Sequence, residues 1–155
     1  EVQEPSDITV GAERLCKHKP DVTPKEEAAF DERLLGTYIY DGCSYEENLK
    51  RWKITPTVIR QGDWGKEVIL IGPNQTEYFS CTRIDVKGSV PLHTTGFVQI
   101  GIVVEGSGKL VYEGGEMEIK KGDELFLPYG LCGAEIVSPD GVGIIWSHPP
   151  GAKHQ

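Results

Sequence analysis

The residues of this chain whose types do chemistry are few and scattered. Glu1, Glu4 and Asp7 gather carboxylates at the start, where one would serve as a base. Because carboxylates are mostly exposed, a hydrated acidic terminus is the plainer reading. Arg14, Lys17 and Lys19 make a small basic cluster of the kind that meets a phosphate, while His18 between its lysines reads as a solvated surface residue. His148 and His154 lie in or near the C-terminal tail and form no pair at ligand spacing. Cys16, Cys43, Cys81 and Cys132 include no CxxC pair, which argues against a structural zinc site. Trp52, Trp64 and Trp146 carry rings able to stack on a sugar, but in a β-rich domain such rings more often pack the core.

These residues belong to a chain of 155, long enough for one domain and an extension. At that length folding buries roughly 68–70% of the unfolded surface, so the core needs no disulfide staple. The four cysteines accordingly read as free thiols in a reducing, cytoplasmic setting. The balance of 24 acidic to 16 basic residues gives a net charge of −8, which disfavours nucleic acid and anionic membrane as partners. The longest apolar stretch, Val98 to Val104, is far short of a membrane span, and no signal-peptide pattern opens the chain. Residue 1 is Glu and the only Met is Met117, so a processed chain or a piece of a longer one is expected.

The elements that must position these groups fall into two textures. Residues 1–57 read as an extension: a weakly strand-like Ile8–Val10, a polar loop, and two short helices. Thr23-Pro24-Lys25-Glu26 and Ser44-Tyr45-Glu46-Glu47 are capping boxes, predicting helices near 24–35 and 44–53 that Gly36 and Pro56 end. Residues 58–148 hold nine short strand signals, at 58–60, 67–71, 78–86, 98–104, 109–112, 117–119, 124–127, 134–137 and 142–146. Between them stand Gly62-Asp63, Gly72-Pro73, Gly88-Ser89, Gly106-Ser107-Gly108, Gly114-Gly115, Gly122-Asp123 and Asp140-Gly141, which read as turns. The nineteen Gly and ten Pro agree with a mainly β, antiparallel sandwich or small barrel. Residues 149–155 read as a frayed tail.

The stretch from Gly88 to Val137 resembles the cupin double-stranded jelly roll. Val103-Val104-Glu105-Gly106-Ser107-Gly108 looks like the end of the first cupin motif. Lys121-Gly122-Asp123 through Pro128-Tyr129-Gly130 looks like the second. Metal-binding cupins place two His and a Glu in the first motif and a His in the second; by that resemblance the positions read His93, Thr95, Gln99 and Gly133. One imidazole of three survives and no carboxylate does, so no metal is expected in this barrel. His93 and Gln99 are then candidates to bind a small substrate.

The start of the chain, Glu1 to Val10, resembles the segment E-x-x-x-x-S-D-x-x-x-R of class I mannose-6-phosphate isomerases, and Gln61 to Gly65 followed by Ile71 to Pro73 resembles a longer branch of such proteins. The resemblance implies the C-terminal part of an enzyme interconverting mannose 6-phosphate and fructose 6-phosphate. Its zinc, held by Gln, His, Glu and His, would lie in an upstream cupin of the same protein. Glu1 falls on the family's acidic position, while its catalytic Arg falls on Gly11, leaving Arg14 as the substitute. The partners implied are a sugar phosphate or small carbohydrate and the upstream part of the protein; the other reading is a non-catalytic cupin module for carbohydrate binding or structural support.

Overall fold

The computed structural model describes residues 23–36, 38, 42–93 and 96–152. Glu1, Arg14, Thr95, Cys16 and the Ile8–Val10 segment lie outside the described residues. The chain divides into two compact units, one over Pro5–Lys53 and one that includes Ile54–Gln155.

The first unit carries α1 (Pro24–Leu35) and α2 (Tyr45–Trp52), and both begin as the sequence predicts. Thr23 and Ser44 accept from the backbone N–H of Glu26 and Glu47, and each glutamate reaches back to its cap. These reciprocal bonds satisfy donors that a helix start leaves open. They also hold both carboxyls below the usual carboxylate value, chiefly through the Thr23 side chain for Glu26 and the Ser44 backbone for Glu47.

The second unit is a mainly β jelly roll of the cupin type. Among the described residues it has seven strands: β1 (Thr57–Gly62), β2 (Gly65–Ile71), β3 (Ser80–Pro91), β4 (Gln99–Tyr112), β5 (Gly115–Lys120), β6 (Glu124–Leu127) and β7 (Glu135–His148). All pairings are antiparallel, in the order β1-β2-β3-β7-β4-β5, with β6 pairing the first part of β4.

Seven strands replace the nine signals because two expected breaks are not breaks. β4 runs unbroken from Gln99 to Tyr112 beside β7, and β7 runs unbroken from Glu135 to His148. Gly106-Ser107-Gly108 and Asp140-Gly141 are therefore bulges inside long strands, not reversals. Gly88 likewise sits inside β3, next to a shift in register. The three bulges lie at one level across β3, β7 and β4, so the central strands bend together and the sheet folds over its own inner face. The glycines are required there by backbone approach. A Cβ on Gly106, at φ +68°, would lie 1.9 Å from the Gly141 carbonyl oxygen, and one on Gly108 2.6 Å from that of Val137. Ser138 reinforces the bend by donating to the Ser107 carbonyl at 2.6 Å and accepting from Gly141 N–H at 3.0 Å.

Lys121-Gly122-Asp123, by contrast, is a true turn between β5 and β6. Its Asp123 carboxylate accepts from Lys120 N–H, and Gly122 N–H donates to the Val103 carbonyl. Inside the fold, Ile84, Val103, Ile136, Ile144 and Trp146 are almost wholly buried in one cluster. Gly101, opposite Trp146 in the ladder, leaves the room that the indole fills.

Candidate functional site

The site is built where strands end. β3 stops at Pro91 and β6 at Leu127, just before Pro128, which has no N–H to continue the ladder. Two loops leave from there and brace each other, since Leu92 N–H donates to the Ala134 carbonyl at 2.8 Å. Gly130 and Gly133 turn the second loop with φ of +85° and +67°, a left-handed conformation that favours glycine. Between the loops is a hollow of about 200 Å³. Its lining includes His93 and Gln99, so the structure brings the two predicted binding residues to one place.

Their surroundings differ. Gln99 is buried on the inner face of β4, and its amide nitrogen donates to the His93 carbonyl at 3.2 Å. His93 is exposed at the rim. The remaining wall is largely apolar, with Phe97, Leu127, Pro128, Tyr129 and Leu131, and with the Cys132 thiol. Sequence reasoning did not single out Phe97, Tyr129 or Leu131. The signal that would have found them is a gap in charge: 92–99 and 127–134 contain no Asp, Glu, Lys or Arg, in a chain where 26% of residues are charged.

This donor set does not fit a transition metal. It offers one exposed imidazole, an amide already committed to a carbonyl, and no carboxylate, while Gly133 at the fourth position has no side chain. Among the described residues no three His, Cys, Asp or Glu converge as a metal site.

Other polar groups sit elsewhere. His148, expected in or near the tail, is instead the last residue of β7, buried at 4% exposure, with Nε2 3.0 Å from Thr82 Oγ1. The long β7 draws it inward because it alternates with Ser147 on a half-buried strand. Trp146 packs the core, Trp64 lies against it, and Trp52 is exposed on α2, so the described tryptophans form no stacking platform. Cys81 is buried, and burial pushes its thiol up; Cys81 and Cys132 are free thiols. A second, more open concavity of about 370 Å³ overlies the bend, floored by Gly65, Gly106, Gly141 and Gly143. Two of its lining carboxylates are paired: Arg83 donates to Asp85 at 2.7 Å and to Glu105 at 3.2 Å, and these bonds, Asp85 foremost, raise the guanidinium's pKa.

The comparisons follow the same outline. A family model described as mannose-6-phosphate isomerase, cupin domain, matches residues 71–149, which is half of the chain and nearly all of the sheet from the end of β2. The chain belongs to this family. No curated protein matches it. Among solved structures, the mannose 6-phosphate isomerase from Bacillus subtilis superposes with a TM-score of 0.58 at 24% identity, covering 77% of this chain. The chain spans only 33% of that enzyme's length. The polyketide cyclase RemF from Streptomyces resistomycificus follows with a TM-score of 0.53 and 24% identity over 64% of this chain and 75% of its own. A putative ethanolamine utilization protein from Salmonella typhimurium, at 0.50 and 23%, covers 56% of this chain and 69% of its own. Likeness at this level shows the shared fold. As a mannose-6-phosphate isomerase cupin domain, the chain carries its concave, charge-free hollow at the barrel mouth, and no helix among the described residues is long and apolar enough to cross a membrane.

Proposed function

We propose that this chain is the C-terminal cupin part of a cytoplasmic sugar-phosphate isomerase-like protein acting on the mannose 6-phosphate and fructose 6-phosphate pair, and that it does not isomerise by itself. Moving a proton between adjacent carbons takes a base and a cation or metal to hold the enediolate. The observation that carries the reading is the match of the isomerase cupin-domain family over residues 71–149. The described lining of the barrel mouth, with an amide, a thiol and one imidazole but no carboxylate, Lys or Arg, supports the lack of turnover by the chain alone. In this reading the zinc and its ligands belong to an upstream cupin of the parent, with Glu1 and Arg14 delivered beside them, and the mouth at His93 and Gln99 binds without converting.

A coupled assay of mannose 6-phosphate turnover on the 155-residue chain tests this. The expected result is no turnover above the uncatalysed rate. Turnover that disappears on Glu1→Gln would overturn it. The hollow itself favours a second reading, a cupin module whose own task is binding a small carbohydrate, since a purely structural barrel has no use for an open mouth walled by aromatic rings.

A further inference from the structure

Among the described residues, the mouth hollow has walls that limit its ligand by what they lack. We infer that it takes an uncharged ring of monosaccharide size, a pyranoside or cyclic polyol, and rejects the phosphate ester; this rests on the reading of the mouth as a binding pocket. A phosphate monoester is close to dianionic at neutral pH. Holding it in a partly desolvated pocket takes Arg, Lys, or several backbone N–H groups aimed at it.

Among the described residues that line the hollow there is no Lys and no Arg. Both loop segments, 92–99 and 127–134, are free of Lys and Arg along their whole length, Thr94 and Thr95 included. Arg60 reaches towards this end by donating to the Pro91 carbonyl at 2.9 Å, but Glu67 lies 2.6 Å from its Nε and neutralises it, and its guanidinium stacks 5.2 Å from the Trp64 ring. The Leu131 N–H, in the turn after Pro128, donates to the Pro128 carbonyl, and the Leu92 N–H donates to that of Ala134. The protein's net charge of −8 adds a general repulsion.

The features that remain suit a neutral ring with one apolar face. Tyr129 presents aromatic surface at 76% exposure, and Phe97, Leu131 and Leu127 extend the apolar wall. Polar contact comes from the Gln99 amide and the His93 ring, a small number of oriented groups in an apolar hollow. A volume of about 200 Å³ equals that of roughly seven liquid waters at ~30 Å³ each, which is of the size of one sugar ring.

The test is titration of the isotope-labelled 155-residue chain at pH 7.5, followed by amide shifts, with three probes: methyl α-mannopyranoside, myo-inositol and mannose 6-phosphate. The expected result is saturable shifts at 96–99 and 129–134 with at least one uncharged probe, at an affinity at least tenfold above that for the phosphate. Tyr129 is exposed enough to change without unfolding the barrel. Tyr129→Ala should weaken the neutral probe about fivefold or more, and Tyr129→Lys should raise mannose 6-phosphate binding to at least the level of the neutral ring. Equal or tighter binding of mannose 6-phosphate to the unaltered chain overturns the inference, as does silence of both uncharged probes at these amides. Failure of Tyr129→Lys to improve phosphate binding also overturns it. Each of these results leaves the absence of turnover untouched, so the two readings fail separately.

Discussion

The contact between Gly101 and Trp146 sets the inner wall beneath the mouth, and it makes a sharp prediction. Replacing Gly101 by Ala puts a Cβ 2.4, 2.6 and 2.9 Å from three carbons of the Trp146 six-membered ring. Carbon pairs prefer about 3.5–4.0 Å, so the ring must shift by about 1 Å. At 1% exposure it has no free side to shift into. Overpacking of this kind costs about 1–3 kcal/mol. The smaller entropy of the unfolded Ala chain returns about 0.4–1 kcal/mol, leaving a net loss of about 1–2 kcal/mol. For a cooperative unit of about 100 residues that is a fall in Tm of about 4–16 °C. Urea unfolding followed by tryptophan fluorescence measures it. In a Trp146→Phe background the distal ring carbons are gone, and the added methyl should then cost little, a coupling of about 1 kcal/mol or more. A Gly101→Ala protein within about 0.5 kcal/mol of the parent, or a cost unchanged in the Phe background, would refute the packing argument.

Three further outcomes are expected. Thiol titration should label exposed Cys132 first and Cys81 only on unfolding, because Cys81 is buried with its thiol pushed up; rapid labelling at Cys81, mapped by mass spectrometry, would contradict this. The lowered carboxyls of Glu26 and Glu47 stabilise both helix starts above the ordinary value of 4.5, and that contribution is lost as pH falls through their depressed folded-state values. Helical ellipticity should therefore decline below about pH 4.5, and Glu26→Gln with Glu47→Gln should remove that share of the pH dependence. Elemental analysis of the purified chain should find well under one equivalent of zinc, since the mouth offers a single imidazole; one equivalent lost on His93→Ala would reverse that conclusion.

The parts of the fold legible in the sequence are those decided locally. Both helix starts rest on side chains three residues apart, so Thr23 to Glu26 and Ser44 to Glu47 reveal them without tertiary information. The Gly122-Asp123 turn is similar, because Asp123 bonds its own neighbourhood at Lys120. Gly106 and Gly141 were misread for the opposite reason. A glycine at positive φ ends a strand or kinks it, and the residues beside it do not say which. The partner strand decides, and here β7 continues past the bend on both sides. Nine signals therefore became seven strands, although the mainly β, cupin-type fold stood.

For the site, the loop after β6 was legible and the rest was not. Pro128 marks where β6 must leave its ladder and the glycines after it mark a loop, whereas the strand signal at 78–86 stops short of Pro91, where β3 ends, so only one wall of the mouth follows from backbone chemistry. Which side chains turn into it depends on strand parity. Along β4, Gln99, Gly101 and Val103 face inward while Ile100 and Ile102 face out at 52% and 45% exposure. Hydrophobicity alone would place the strand the other way round, with the isoleucines inside and the glutamine in water. The inward parity holds because Trp146 needs the space over Gly101 and Gln99 finds a partner in the His93 carbonyl. A single register slip would exchange them, filling the mouth with isoleucine and closing the hollow. The placement of the Gln99 amide in an otherwise apolar mouth thus depends on one large indole in the neighbouring strand, and the lining of the hollow is set by packing below it as much as by the residues at its rim.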